Sequence, residues 1–256
     1  MITIKTEKDI EILRESGRRL ARILRLVSEK VAPGVTASEL NDLALKLTLE
    51  GGDKAAFFNY RPVGAKRAYP AALCVSINEE VVHGIPNEAN KVLKNGDIVS
   101  LDMGLIHDGL ITDMAITVPV GEVTPELKKL MNVTKEALNV AIKAAKASNH
   151  IGDIGYSIER LVRPHGYGIV EDLCGHGVGY KVHEDPFVPN FGEKGKGEKL
   201  KPGMVIAIEP MLNLGTHKVK VAKDDWTYVT ADASPSAHFE HTILITKAGS
   251  EILTRE

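Results

Sequence analysis

Two stretches of this chain repeat each other, and the repeat limits the fold more than any other feature. Cys74, Val82, His83 and Pro86 recur at an offset of 100 as Cys174, Val182, His183 and Pro186. Leu93-Lys94-Asn95-Gly96-Asp97-Ile98-Val99-Ser100-Leu101-Asp102 then resembles Leu200-Lys201-Pro202-Gly203-Met204-Val205-Ile206-Ala207-Ile208-Glu209 at an offset of 107. The seven extra residues fall in the Gly/Lys-rich stretch 192–199. Both copies run from a glycine turn into an apolar strand that ends on a carboxylate. A chain that does this twice is expected to fold as two similar halves, with shared chemistry between them.

Helical patterning precedes each copy. Thr6 and Asp9 can cap a helix over roughly 7–31, apolar at Ile10, Leu13, Leu20, Ile23, Leu24 and Val27. Thr36 with Glu39 reads as a capping box for a second helix ending near Gly51-Gly52. In the second half, Thr124-Pro125 opens a helix reaching about Ala147, because proline is favoured at the first helical position. A shorter helix is expected over roughly 153–163. Helix, helix, then strands, twice over, predicts an α+β fold with pseudo-two-fold symmetry and helices backing one face of a curved antiparallel sheet. The expected unit is one catalytic domain, 1–256, with halves of about 1–120 and 121–256.

Composition excludes several classes. With 256 residues the chain can bury a sizeable core. Its 43% hydrophobic and 26% charged residues are ordinary for a globular protein. A formal net charge of -2 gives no bulk attraction to DNA or to an anionic membrane. Two cysteines, Cys74 and Cys174, make no disulfide framework and fit a reducing compartment. The N-terminus lacks a signal-peptide pattern, and no apolar run approaches the ~18 residues of a membrane span. A cytoplasmic location is expected.

Five potential metal ligands lie far apart in sequence: Asp102, Asp113, His176, Glu209 and Glu240. Four carboxylates and one imidazole form a hard, oxygen-rich set, better suited to two divalent ions sharing carboxylates than to one tetrahedral zinc. Such paired ions activate water, so convergence of these residues would make the protein a hydrolase. Asp102 and Asp113 lie in 99–113, which reads as a β-hairpin around Asp108-Gly109. A two- or four-residue loop there pairs 107 with 110, sets 104 opposite 113 and 102 opposite 115, and makes the two acids diagonal neighbours on one face. A three-residue loop would shift the register and separate them. His176 sits among three alternating glycines, Gly175, Gly177 and Gly179, which allow close backbone approach. A phosphate loop is the weaker reading, since no helical pattern follows. Glu209 closes an apolar strand, where a carboxylate is costly to bury unless paired or metal-bound. Alternation over 237–245 puts His238, Glu240 and Thr242 on one face.

Together these segments resemble type I methionine aminopeptidase, a metallopeptidase of family M24 with the pita-bread fold, over nearly the whole chain. The matching motifs are Cys74-Val-Ser-Ile-Asn with Val-Val-His83-Gly-Ile-Pro, Leu-Asp102-Met-Gly, Thr-Asp113-Met-Ala, Gly-His176-Gly-Val-Gly, Val-His183-Glu-Asp-Pro, Ile-Glu209-Pro and Phe-Glu240-His-Thr. The resemblance implies that Asp102 binds one of two divalent ions (Co, Mn, Fe or Zn) with both oxygens. Asp113 and Glu240 would bridge the pair, and His176 and Glu209 would complete the second ion's shell. A water held between the ions would attack the carbonyl of an N-terminal methionine, with Glu209 taking its proton. His183 would polarise the carbonyl, and His83 would bond the peptide nitrogen. The family prefers a small residue after the methionine.

The same resemblance places Tyr69, Cys74 and Trp226 around the methionine side chain, with Tyr60 a further candidate. Two departures bear on pocket shape. The link from Tyr60 to Tyr69 is several residues longer than usual and basic at Arg61, Lys66 and Arg67, and Val182 stands where an aromatic often precedes the histidine. The basic loop reads as a solvated surface loop, or alternatively as a contact for ribosomal RNA phosphates. Expected partners are peptide or nascent-chain N-termini, for a monomeric enzyme. Two rival readings are a prolidase-type enzyme of the same fold and a catalytically inactive binding module. The Cys74–Pro86 stretch speaks against the first, and the intact ligand set against the second.

Overall fold

The computed structural model describes residues 2–256. Four helices form where local capping starts them. Helix α1, Glu7–Ser28, begins on a reciprocal Thr6–Asp9 box: Asp9 N–H donates to Thr6 Oγ1 at 3.2 Å and Thr6 N–H to Asp9 Oδ2 at 2.9 Å. Helix α2, Ala37–Glu50, repeats the device with Thr36 and Glu39. Helix α3, Pro125–Ala144, carries its proline in the first turn behind the Thr124 cap, and α4 spans Ile151–Val162. Helices α1 and α3 both end about three residues short of their expected ends near 31 and 147. After α1 the cause is local, since Ala32 precedes Pro33 and is pushed out of the helical region, and a turn through Gly34 follows.

The main sheet has nine strands, all antiparallel, and its order is close to a palindrome. At its centre Leu110–Pro119 pairs with Glu240–Ile245. Outside these lie Ile98–His107 on one side and Val205–Ile208 on the other. Cys74–Ile77 then pairs with the former as Cys174–Gly177 pairs with the latter. The two copies of the sequence repeat thus flank one central seam.

Alternation assigns the faces. Val99, Leu101, Met103 and Leu105 pack under α1 and α2, while Ile206, Ile208, Ile243 and Ile245 pack under α3 and α4. The intervening residues Asp102, Asp113, Glu209 and Glu240 therefore face away from all four helices. Helix α1 lies very close to the chain's end: a Cβ on Gly17 would stand 2.3 Å from the Leu253 carbonyl oxygen.

One expected strand is divided. Ser236–His238 pairs with Met211–Asn213 in a separate three-stranded sheet, and the main-sheet strand begins only at Glu240. The Thr117 hydroxyl causes the offset. It accepts from the His238 N–H at 2.9 Å and donates to the His238 carbonyl at 2.7 Å, replacing a backbone ladder partner.

The long basic loop leaves and rejoins the body at one place. Tyr69 N–H donates to Tyr60 O at 2.8 Å and Asn59 N–H to Tyr69 O at 2.9 Å, so residues 61–68 form a closed excursion. Its charges are not free: Lys66 pairs with Asp225 at 2.6 Å and Arg67 with Glu88 at 2.7 Å, while Arg61 donates to the Ala65 and Lys66 carbonyls.

Candidate active site

The hairpin closes with a two-residue turn in which Asp108 (φ 45°) and Gly109 (φ 82°) both take left-handed conformations. His107 pairs with Leu110, Gly104 with Asp113 and Asp102 with Ala115, the register that makes the two acids same-face neighbours. Ala115 in turn pairs with Glu240 across the seam, so Asp102, Ala115 and Glu240 form one row. Thr242 fixes Asp113 from the neighbouring strand. Its hydroxyl accepts from the Asp113 N–H and donates to the Asp113 carbonyl, each at 2.8 Å.

His176 arrives on Cys174–Gly177. Its Nδ1–H donates to Gly177 O at 2.9 Å, which leaves Nε2 as a free donor atom 3.5 Å from Glu209 Oε1. The adjoining glycines are required by space: a Cβ at Gly175 would meet Ala207 O at 2.4 Å, and one at Gly177 would meet Asp185 O at 2.2 Å. Ligand atoms of Asp113, His176 and Glu240 lie within 4.8 Å of one another.

The electrostatics of this cluster are unfavourable as protein alone. Asp102, Asp113 and Glu240 are buried, and Asp102 Oδ1, Asp113 Oδ1 and Glu240 Oε1 have no hydrogen-bond partner. Desolvation, reinforced by neighbouring carboxylates, pushes Asp102, Glu209 and Glu240 well above the usual carboxylate range. Burial raises Asp113 to about 7. No Lys or Arg lines the cavity to offset these charges. Orphaned carboxylate oxygens converging beside an imidazole nitrogen are what hard or borderline divalent cations require, so the donor set fits such ions.

All five of these residues line one cavity of about 110 Å³, together with His83, His183, Tyr69, Cys74 and Trp226. Tyr60, Pro62 and Val182 line it as well. A wider groove of about 1250 Å³ elsewhere on the surface contains none of them. Tyr69 and Trp226 meet edge to face, ring centroids 5.3 Å apart. His83 holds a left-handed backbone, φ 59°, and its ring lies 6.1 Å from Trp226. Burial lowers His83 to about 4 and depresses His183 too, so both rings are neutral at pH 7. His183 Nδ1 lies 2.8 Å from the Tyr60 hydroxyl, and its ring packs 4.4 Å from that of His176.

Two features escaped the sequence reading. His238 is buried, with Nε2 3.7 Å from Glu209 Oε2 and 3.9 Å from Glu240 Oε2. Its place two residues before Glu240, on the same face of the expected alternation, was the available signal. The Tyr60–His183 bond joins residues 123 apart and had no local signal.

A fold that sets buried acids and an imidazole around a small cavity, with donors fit for divalent cations, defines a metal-dependent hydrolase. Residues 11–247 match metallopeptidase family M24, and the chain belongs to that family. The methionine aminopeptidase of Aquifex aeolicus is 47% identical over 257 residues, covering 99% of this chain and 98% of that protein. The crystal structure of methionine aminopeptidase from Thermotoga maritima superposes with a TM-score of 0.94 at 46% identity, over 100% of both chains. A prolidase from Pyrococcus horikoshii has a TM-score of only 0.76 at 25% identity, and this chain covers 63% of that one. Within M24 the chain falls with the methionine aminopeptidases. Among the described residues no helix is long and apolar enough to cross a membrane.

Proposed function

We propose that this enzyme removes the N-terminal methionine from peptides and nascent proteins in the cytoplasm, acts as a monomer, and prefers a small second residue. The carrying observation is that one cavity is lined both by the five potential ligands and by Tyr69, Cys74 and Trp226. A cavity of about 110 Å³ admits a single side chain, which suits an exopeptidase.

In this reading Asp102, Asp113, His176, Glu209 and Glu240 would hold two divalent ions. Bound ions supply Lewis acidity, lowering the pKa of water and polarising the scissile carbonyl. Glu209 accepts the proton of the attacking water. His183, neutral and held at Nδ1 by Tyr60, presents Nε2 to the carbonyl oxygen as negative charge develops there. His83 bonds the peptide nitrogen and assists departure of the shortened chain. Tyr69, Cys74 and Trp226 exclude water around the methionine side chain.

The experiment is hydrolysis of Met-Ala-Ser and of Ala-Pro peptides by chelator-stripped protein with Mn, Co, Fe or Zn restored singly. Release of methionine from the first peptide alone, abolished in Glu209→Ala and His83→Ala, is expected. Cleavage before proline in preference would refute the methionine assignment.

A further inference from the structure

The proposed ligand set leaves one buried group beside it without a partner. His238 ends the strand Ser236–His238, its backbone clamped by Thr117, and its ring is enclosed between Glu209 and Glu240. Neither Nδ1 nor Nε2 has a hydrogen-bond partner, although both atoms are buried. An unsatisfied buried ring nitrogen costs on the order of 1–3 kcal/mol, so such groups normally have a partner in the working protein.

The separations show what kind of partner fits. At 3.7 Å from Glu209 Oε2 and 3.9 Å from Glu240 Oε2, Nε2 is beyond hydrogen-bond reach of either oxygen. Two donor atoms each about 2.1 Å from a common cation are roughly 3–4 Å apart over the coordination angles such ions accept. His176 Nε2 and Glu209 Oε1, at 3.5 Å, are spaced in the same way. Glu209 thus presents one oxygen to each of two imidazoles.

We propose that His238 is a further metal ligand of this enzyme, binding through Nε2 on the Glu209–Glu240 side of the centre. This rests on the reading of Glu209 and Glu240 as metal ligands. It changes the character of the site from one imidazole to two. A second nitrogen donor favours Co and Zn over Mn, since imidazole suits the borderline ions and carboxylate the harder ones.

The test counts ligating imidazoles without using activity. In ¹H NMR of the Co(II)-loaded protein, each bound histidine contributes one exchangeable, hyperfine-shifted ring N–H signal. Two such signals are expected in the unmodified enzyme, one lost in His238→Gln and the other in His176→Ala. Competition with a chelator should show His238→Gln losing about 10–100-fold in Co and Zn affinity and distinctly less in Mn affinity. A single signal in the unmodified enzyme, or a spectrum unaltered by His238→Gln, overturns the proposal while leaving the five-ligand centre standing. An equal loss for all three metals also overturns it, because a residue that only orients the carboxylates would act on every ion alike. Failure of the unmodified protein to take up Co at all would remove the metal-centre reading itself.

Discussion

Removing divalent ions from the folded enzyme should cost more stability as pH rises from about 5 to 7. Burial holds Asp113 at about 7 against an ordinary value of 3.8, and holds Asp102, Glu209 and Glu240 well above their ordinary range. A carboxyl whose folded pKa exceeds its unfolded pKa keeps a proton that the unfolded chain has released. Its contribution is complete below the unfolded pKa and is lost as pH climbs through the folded one, at about 1.4 kcal/mol per pH unit. For Asp113 alone the loss is about 4 kcal/mol, spread between about pH 4 and 7. Buried His83, His176 and His238, lowered to about 4, 3 and 3, act in the opposite sense. They withdraw stability as pH falls below about 6.5, where the unfolded chain takes up their protons. The rings act alike in stripped and metal-loaded protein, so they cancel in the difference between the two. Zn or Mn at saturation would displace the carboxyl protons and remove their pH dependence. Urea midpoints at about pH 5, 6 and 7 should therefore show stripped protein falling further behind the loaded protein at each step. A gap that stays constant or narrows across this window would refute the argument.

Three further perturbations test separate parts of the structure. Tyr60→Phe removes the 2.8 Å bond to His183 and should lower kcat/KM about tenfold, or about 1.4 kcal/mol, at unchanged melting temperature; an unaltered rate would dissociate that bond from the reaction. Gly17→Ala forces a Cβ to 2.3 Å from the Leu253 carbonyl and should destabilise by about 1–3 kcal/mol in urea unfolding, whereas a neutral result would mean that the chain's end yields freely. Combined reversal of Lys66 and Arg67 to glutamate should leave ribosome co-sedimentation unchanged, because both charges are already matched by Asp225 and Glu88; loss of co-sedimentation would show that the loop engages RNA phosphates.

What could be read from the sequence was local or periodic. Helix starts at Thr6, Thr36 and Thr124 follow from side chains within one turn of the cap. Asp108-Gly109 located the hairpin but left its loop length open; the left-handed backbone of both residues makes it the two-residue turn that pairs 107 with 110. Acids set among apolar neighbours identified Asp102, Asp113, Glu209 and Glu240 as candidates, and the structure brings them together with His176 in one cavity. The illegible parts depend on distant partners. Alternation over 237–245 cannot reveal that Thr117 captures the His238 backbone and divides the strand. Likewise, the basic composition of the 61–68 loop gave no sign of Asp225 and Glu88, which offset its charge from elsewhere in the chain.

The central seam has a consequence for how the enzyme responds to its metal. Asp102 and Asp113 approach from one side of the Leu110–Pro119 and Glu240–Ile245 pairing, while His176 and Glu209 approach from the other, with Glu240 at the join. An ion gripped by the proposed set would therefore act as a fastener between two flanks of the sheet. By linkage, ion capture and seam closure are one equilibrium seen from two ends: tighter capture resists separation of the flanks, and any looseness where Thr242 holds Asp113 surfaces as weaker capture.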